Sequence, residues 1–483
     1  MKKIHTSNIF AAVVFSATVA ACGKSFLDAP PQNVLPRESY VKDLKACEQL
    51  MLGLYPMLSS GYGTYTDIYP ELAADNIKPV TGSSNFLRMY SWTQISDDKT
   101  AEPGATSLNI NGLSYVFYKL IVNSNYVIEK TPEFAKEDPP KADRVLGVAL
   151  TFRAYSYFML VNLFAQPYNF TADGRHPGVV YTSSSDIYAP VNGRATVAEV
   201  YQHILEDLEQ AIKLLPENSD NLMLMNRKLA VALLSKVYLY KGDYESALRQ
   251  AQVSIEKTPL LTIANGYPDE IFRKTNPSQN ESFFLLVPMA SKTLGYSIGG
   301  LFSNLYYQLV TQFVATADVA GIIAEDSQDV RAKWVTTSSS GWKVNKYAGG
   351  AVSDVSPASL SYFKPLIRCS EMYLNAAEAC FHLQKEDSAK HYLNLIIQRA
   401  NPAAAPLQLT GDQLRDAIRK ERRKELAFEG DRLFDVLRWK QDIVRTDPAV
   451  PEASRLPYPN EKAVPPLPLQ DVAKPGVIQN PGY

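Results

Sequence analysis

Ser235–Pro259 reads SKVYLYKGDYESALRQAQVSIEKTP, and this stretch decides the fold. Its fixed points are Tyr238, Gly242, Tyr244, Ala247, Ala251 and Pro259, with a small residue at Ser235. Gly242 separates two helical patterns, and Pro259 stops the second. Small side chains at 235, 247 and 251 let two antiparallel helices approach, while a tyrosine fills the gap between them. The spacing predicts helix, tight turn, helix.

These are the spacings of a tetratricopeptide unit. One such unit cannot bury its apolar face alone, so neighbouring helices must cover it. Residues 145–166, 196–215 and 366–399 supply candidates, the last with Ala377, Ala389 and Leu393 at looser spacing. Leu146, Leu150, Ala154, Tyr157, Val161 and Phe164 step by three or four along one face. Thr196 with Glu199 forms a capping box before Ile204, Leu208, Ala211 and Leu215, and Pro216 is the stop. An earlier apolar pattern runs through Leu44, Cys47, Leu50, Met51 and Leu54. Thr410 with Gln413 opens a basic helix that continues to about Phe428. Its run Arg419–Lys424 is interleaved with Glu421 and followed by Glu425, which reads as intrahelical pairing and not as a nucleic-acid patch. Residues 59–112 and 260–365 lack a sustained period, apart from strand-like runs such as Phe283–Val287. From Arg455 the tail holds seven prolines and reads as an extended surface strap. The expected fold is mostly α, a tetratricopeptide-like helix-pair scaffold with long irregular loops and a few short strands.

The whole chain has 483 residues, with 49 Lys+Arg against 50 Asp+Glu, and this near-neutral balance lacks the footprint of a nucleic-acid binder. Hydrophobic residues at 46% and charged residues at 20% exclude wholesale disorder. Lys2 and Lys3 precede an apolar run from Ile9 to Ala21, too short to cross a bilayer but suited to a signal peptide over residues 1–21. Small residues run directly into Cys22, as in a bacterial lipobox, which makes Cys22 the expected lipidation site; the alternative is an ordinary secretory signal. Residues 22–40 read as the lipidated tether, 41–265 as an N-terminal helical region and 266–483 as a C-terminal region. The mature protein is therefore expected to be anchored to a membrane without crossing it. Cys369 and Cys380 lie eleven apart in a helical pattern, about 16 Å along the axis, too far for a disulfide. A bridge from Cys47 to either stays open.

Chemical motifs are sparse. Gly295–Gly299 matches a nucleophile-elbow pattern around Ser297, but no alternation of strands and helices surrounds it. His382 and His391 fall on opposite faces of one helix, and no zinc, phosphate-loop or calcium-loop pattern occurs. No cofactor is expected. Asp97–Asp98 is an acidic pair that a structural calcium could touch, but a solvated loop pair is the better reading.

Several blocks resemble the SusD/RagB family of outer-membrane lipoproteins of Bacteroidetes. They are the lipobox followed by Phe26-Leu27-Asp28 and two prolines, Asp75-Asn76 with Tyr90-Ser91-Trp92, and Arg153-Ala154-Tyr155 leading to Pro167. Asp207–Ala211, Arg368–Glu371 and Ala377-Glu378-Ala379 continue the order. Glu421–Asp435 is the most specific block, and the chain closes on Gln479–Tyr483.

The resemblance implies a non-catalytic glycan-binding lipoprotein, lipid-anchored in the outer membrane and facing the cell exterior. It implies capture of an oligosaccharide and its transfer to a SusC-like TonB-dependent porin. Sugar faces are weakly apolar CH surfaces, so aromatic platforms suit them while polar side chains hold the hydroxyls. Trp92, Trp334 and Trp342 lie in the irregular regions, with Tyr62, Tyr65, Tyr90, Tyr306 and Tyr307; Asp75, Asn76 and Arg88 are the polar candidates. Trp439 follows the basic helix and reads as core. Two other readings are a tetratricopeptide-type lipoprotein that binds only protein or peptide, and a lipid-anchored hydrolase using Ser297 or an acidic pair.

Overall fold

The computed structural model describes residues 40–483, apart from 62–65, 81–85, 97–109, 192, 218–220, 274–280, 287–289, 292–295, 298–311 and 348–363. Its helices are α1 (Leu44–Leu52), α2 (Leu54–Gly61), α3 (Ile68–Ala73), α4 (Leu87–Tyr90), α5 (Ile110–Phe134), α6 (Pro139–Phe164), α7 (Val197–Leu214) and α8 (Arg227–Lys241). There follow α9 (Tyr244–Lys257), α10 (Asp269–Phe272), α11 (Ala317–Ile323), α12 (Cys369–His382), α13 (Glu386–Ala400), α14 (Gly411–Glu425), α15 (Arg432–Arg438) and α16 (Leu469–Val472). The fold is mostly helical, as expected.

Helices pack in chain order, α5 on α6, α6 on α7, α8 on α9, α9 on α12 and α12 on α13. The Ser235–Pro259 pair behaves as its spacing demands. Ala247 and Ala251 are fully buried, and Ser235 Oγ donates across the pair to the Ala247 carbonyl at 2.9 Å. Tyr238 reaches back to α7, where its hydroxyl donates to Glu209 at 2.9 Å. Gly242 ends α8 at φ +86°, in the left-handed region, and its N–H caps the Leu239 and Tyr238 carbonyls. A Cβ there meets nothing within 4 Å, so backbone conformation alone demands glycine. Gly242→Ala is therefore expected to cost about 1 kcal/mol, read as a lower urea midpoint at constant slope.

α6 is long and apolar enough to cross a membrane, yet 94% of its apolar window is buried inside the protein. It is the central helix of the array. The Thr196–Glu199 capping box is formed in both directions. Thr410 does precede α14, but its side chain makes no cap bond; the Gly411 N–H donates instead to Glu386 at 2.9 Å. The pattern from Leu44 to Leu54 is broken at Gly53 into two short helices. Cys47, Cys369 and Cys380 are free and buried, so the bridge left open for Cys47 is not made. The proline-rich tail is no loose strap: Val464, Leu467 and Val477 are buried, and Asn480 donates to the Phe164 and Pro465 carbonyls at 2.9 and 2.7 Å.

The strands are β1 (Ile77–Pro79), β2 (Ser282–Leu286), β3 (Ala290–Ser291), β4 (Tyr296–Ser297), β5 (Phe313–Ala315), β6 (Val335–Ser338), β7 (Gly341–Val344), β8 (Lys364–Arg368), β9 (Ile443–Val444) and β10 (Arg455–Leu456). Four of them form a sheet of order β1-β5-β7-β6, with every ladder antiparallel. Ser297 sits in a two-residue strand opposite Ala290, not at a strand-to-helix turn of a parallel sheet, so the elbow geometry is not met.

Candidate functional site

The two irregular regions of the sequence meet in one sheet. β1 comes from the first and β5, β6 and β7 from the second; Pro79 pairs with Phe313, and the Val80 N–H donates to the Gln312 carbonyl at 2.9 Å. The Phe86 and Phe313 rings, 4.6 Å apart, fasten the start of α4 to β5. The sheet thus joins β1, which precedes Tyr90 and Trp92, through β5 to the strands that follow Trp334 and carry Trp342. Exposure then divides these aromatic candidates.

Most of the described candidates prove to be framework. Tyr90 and Trp92 are buried at 0% and 5% exposure. Their rings flank the Arg445 guanidinium at 3.8 and 4.2 Å. Trp92 takes φ 56°, unusual for a bulky residue, and its indole N–H donates to the Ala73 carbonyl at 2.9 Å. Arg445 donates in turn to the carbonyls of Leu72, Ala73, Ala74, Tyr90 and Ala453, between 2.7 and 3.1 Å. Neither ring can present a face to a sugar. Asp75 and Asn76 are likewise buried. Asp75 accepts two bonds from Arg432 at 2.6 and 2.8 Å. Burial alone raises its pKa, but Arg423 and Arg432 hold the carboxyl well below the usual range. Asn76 donates to Glu71 at 2.7 Å and accepts from Arg423 at 2.8 Å. Trp334 is 1% exposed, with the Lys346 ammonium 4.1 Å from its ring centre and Phe272 edge-on at 5.7 Å. Burial pushes that ammonium down to about 8 despite Glu429 beside it.

Two candidates stay at the surface. Trp342 is half-buried on β7, opposite Thr337 of β6 and Ala315 of β5, and Arg88 is exposed on α4. Tyr62, Tyr65, Tyr306, Tyr307, Asp97, Asp98 and Cys22 lie outside the described residues. Trp439 is core as read, 9% exposed, with its indole N–H on Glu378 at 2.7 Å.

The basic helix differs from its sequence reading. Only Arg415 pairs within α14, to Asp412 and Asp416. Arg422 reaches Asp435 at 2.8 Å, Arg423 reaches Asp75 at 3.5 Å, Lys424 reaches Asp329 at 2.8 Å and Lys420 reaches Glu325. These long side chains leave the helix because it is buried on several sides, where each charge needs a tertiary partner. Glu425 at its end collects Arg331, Arg368 and Arg399 at 2.5–2.7 Å. Nothing local in the sequence signalled Arg445 or this network.

A cleft of about 550 Å³ opens between α11, α13 and α14, walled by Ile397, Leu407 and Leu409 and rimmed by Glu325, Asp326 and Asp416. It holds no aromatic side chain, so it offers no stacking platform. Among the described residues no group of three or more His, Cys, Asp or Glu side chains could hold a metal ion.

Residues 25–239 match a family described as starch-binding and associating with the outer membrane, and residues 311–483 match the SusD family. The SusD-like protein P2 of Formosa agariphila is 24% identical over 89% of this chain and 90% of its own length. The crystal structure of a SusD superfamily protein from Bacteroides thetaiotaomicron has a TM-score of 0.79 at 27% identity, covering 91% of this chain and 100% of that one. A laminarin-binding SusD-like protein has a TM-score of 0.69 at 19% identity, over 92% and 100% of the two chains. The two matched stretches, in order, and the shared fold over nine-tenths of the length leave one conclusion: this chain belongs to the SusD/RagB family.

Proposed function

We propose that this protein is a non-catalytic, cell-surface glycan-capture lipoprotein, anchored through Cys22 in the outer membrane, that passes its ligand to a SusC-like TonB-dependent porin. The observation that carries the reading is family membership over nearly the whole chain, with a fold neighbour described as laminarin-binding. The sheet that joins the two irregular regions supports it, because it leaves an aromatic side chain, Trp342, at a surface flanked by polar groups. An aromatic face takes the CH side of a sugar without changing any bond.

The test is a glycan array with soluble protein starting after Cys22, followed by mass spectrometry of each bound glycan. Binding with the glycan recovered intact is the expected result. Binding to no glycan, or recovery of cleaved product, would overturn the proposal. On the same array Trp342→Ala is expected to weaken capture about tenfold or more, with a thermal midpoint within a few degrees of the parent, since the ring is only half-buried. A variant that binds as the parent does removes Trp342 from the site.

A further inference from the structure

α14 carries six cations, and five of them have a carboxylate within ion-pair distance: Arg415, Lys420, Arg422, Arg423 and Lys424. The sixth, Arg419, has none among the described residues. Its recorded contact is the ring of Trp439, 5.2 Å from its guanidinium carbon. The acids whose charge reaches it are already committed, Glu378 to Arg438 at 2.5 and 2.7 Å and to the Trp439 indole at 2.7 Å, and Asp416 to Arg415 at 3.0 Å. Arg419 is nonetheless half-buried, so its charge has given up water while gaining only an aromatic face and no carboxylate.

The surroundings explain what such a cation could hold. Gly242 and the Asp243 cap turn the chain so that Tyr244 opens α9, while His382 closes α12. The two rings stack at 4.0 Å and 6°. Tyr244 is half-buried and His382 exposed. Burial lowers the His382 pKa, and Arg438 and Arg419 lower it further while Glu378 opposes them. Glu378, which holds the Trp439 indole, lies one turn before His382 on α12, so the stacked aromatic pair and the Arg419 guanidinium over Trp439 fall at the same corner of α9, α12 and α14. Arg415 adds charge of the same sign there, and Asp416 some of the opposite sign.

We infer that this corner is a second, accessory binding site, taking a carboxylate carried on a sugar ring, the chemistry of a uronic acid. The carboxylate pairs with Arg419 in the fork geometry that guanidinium provides, and the CH surface of the ring lies against the Tyr244–His382 pair. The inference rests on the glycan-capture reading but uses other elements than the sheet that carries Trp342.

Trigalacturonate titrated by calorimetry into the full soluble chain tests it, with maltotriose and acetate as controls. Trigalacturonate is expected to bind and acetate not to, with affinity falling as salt rises. Arg419→Gln is expected to weaken that binding tenfold or more, and His382→Ala to weaken it several-fold, with both variants melting like the parent. No trigalacturonate binding, equal binding by acetate, or binding unchanged in Arg419→Gln would each overturn the inference. The glycan array run on parent and Arg419→Gln separates the two readings. Capture of other glycans by both proteins leaves the main proposal standing while this one fails, and silence on every glycan removes both.

Discussion

Glu425→Gln is expected to cost about 3–5 kcal/mol of folding stability, a large share of the 5–15 kcal/mol that holds a domain together. The carboxylate is fully buried. One oxygen accepts from Arg368 at 2.6 Å and Arg399 at 2.5 Å, the other from Arg331 at 2.7 Å and the Tyr267 hydroxyl at 3.0 Å. An amide keeps the shape but turns an NH₂ toward guanidinium N–H groups, and it leaves three buried cations short of a negative charge. Urea unfolding of the two proteins measures the difference. A loss below about 1 kcal/mol would mean that water reaches the cluster and screens it.

Buried carboxylates held by arginines set the acid limb of stability. Burial alone raises the Glu425 carboxyl, but Arg399, Arg368 and Arg331 hold it well below its ordinary 4.5. Glu378 and Glu429 are drawn down to about 2, against burial, chiefly by Arg438 and by Arg368. A carboxyl lowered on folding contributes stability that is complete above its unfolded pKa and lost as pH falls through its folded one. The parent is therefore expected to lose stability mainly between about pH 4.5 and 2, and Glu425→Gln more gradually there, because it lacks one of the titrating groups. Asp67 works in the opposite sense. Burial raises it to about 7 despite Lys364, so its cost to stability appears as pH rises from 3.8 through that value.

These charges also explain which features could be read from the sequence. Helices were legible because their signals are local: the Thr196–Glu199 box, the stop at Pro216 and the small residues at 235, 247 and 251 all act within a few residues. The family was legible for a different reason. Asp75-Asn76, Arg368–Glu371, Glu378 and Glu421–Asp435, which carry the resemblance, supply many of the residues of the buried ion pairs. A charge that must meet one partner in a dry interior cannot drift, and so it marks the fold while saying nothing of the ligand. Asp75, Asn76, Tyr90 and Trp92, candidates for ligand contact by sequence, are buried framework. A carboxylate at 75 and a guanidinium at 432 look like surface residues until the chain brings them to 2.6 Å. The pairing of β1 with β5, more than 230 positions apart, has no local signal either.

Trp92→Ala is accordingly expected to act on the fold first, costing about 3–5 kcal/mol as a buried aromatic truncated to a methyl group. The loss has three parts: the packed indole volume, the bond to the Ala73 carbonyl at 2.9 Å, and one wall of the Arg445 slot. Arg445→Met should cost a similar amount by the complementary route, because five carbonyls, most of them buried, lose their donor together. Burial draws the Arg445 pKa down to about 10, so the group stays charged at neutral pH even here. Arg445→Lys should not rescue it, since a point ammonium has three donors and cannot reach carbonyls on α3, α4 and the segment before β10 at once. Thermal unfolding decides the matter when Trp92→Ala and Trp342→Ala are compared side by side. A large drop for the first and a small one for the second assigns Trp92 to the frame and leaves Trp342 to the ligand. If Trp92→Ala melts with the parent and still loses glycan capture, its ring faces the ligand, and the frame around Arg445 is wrongly drawn.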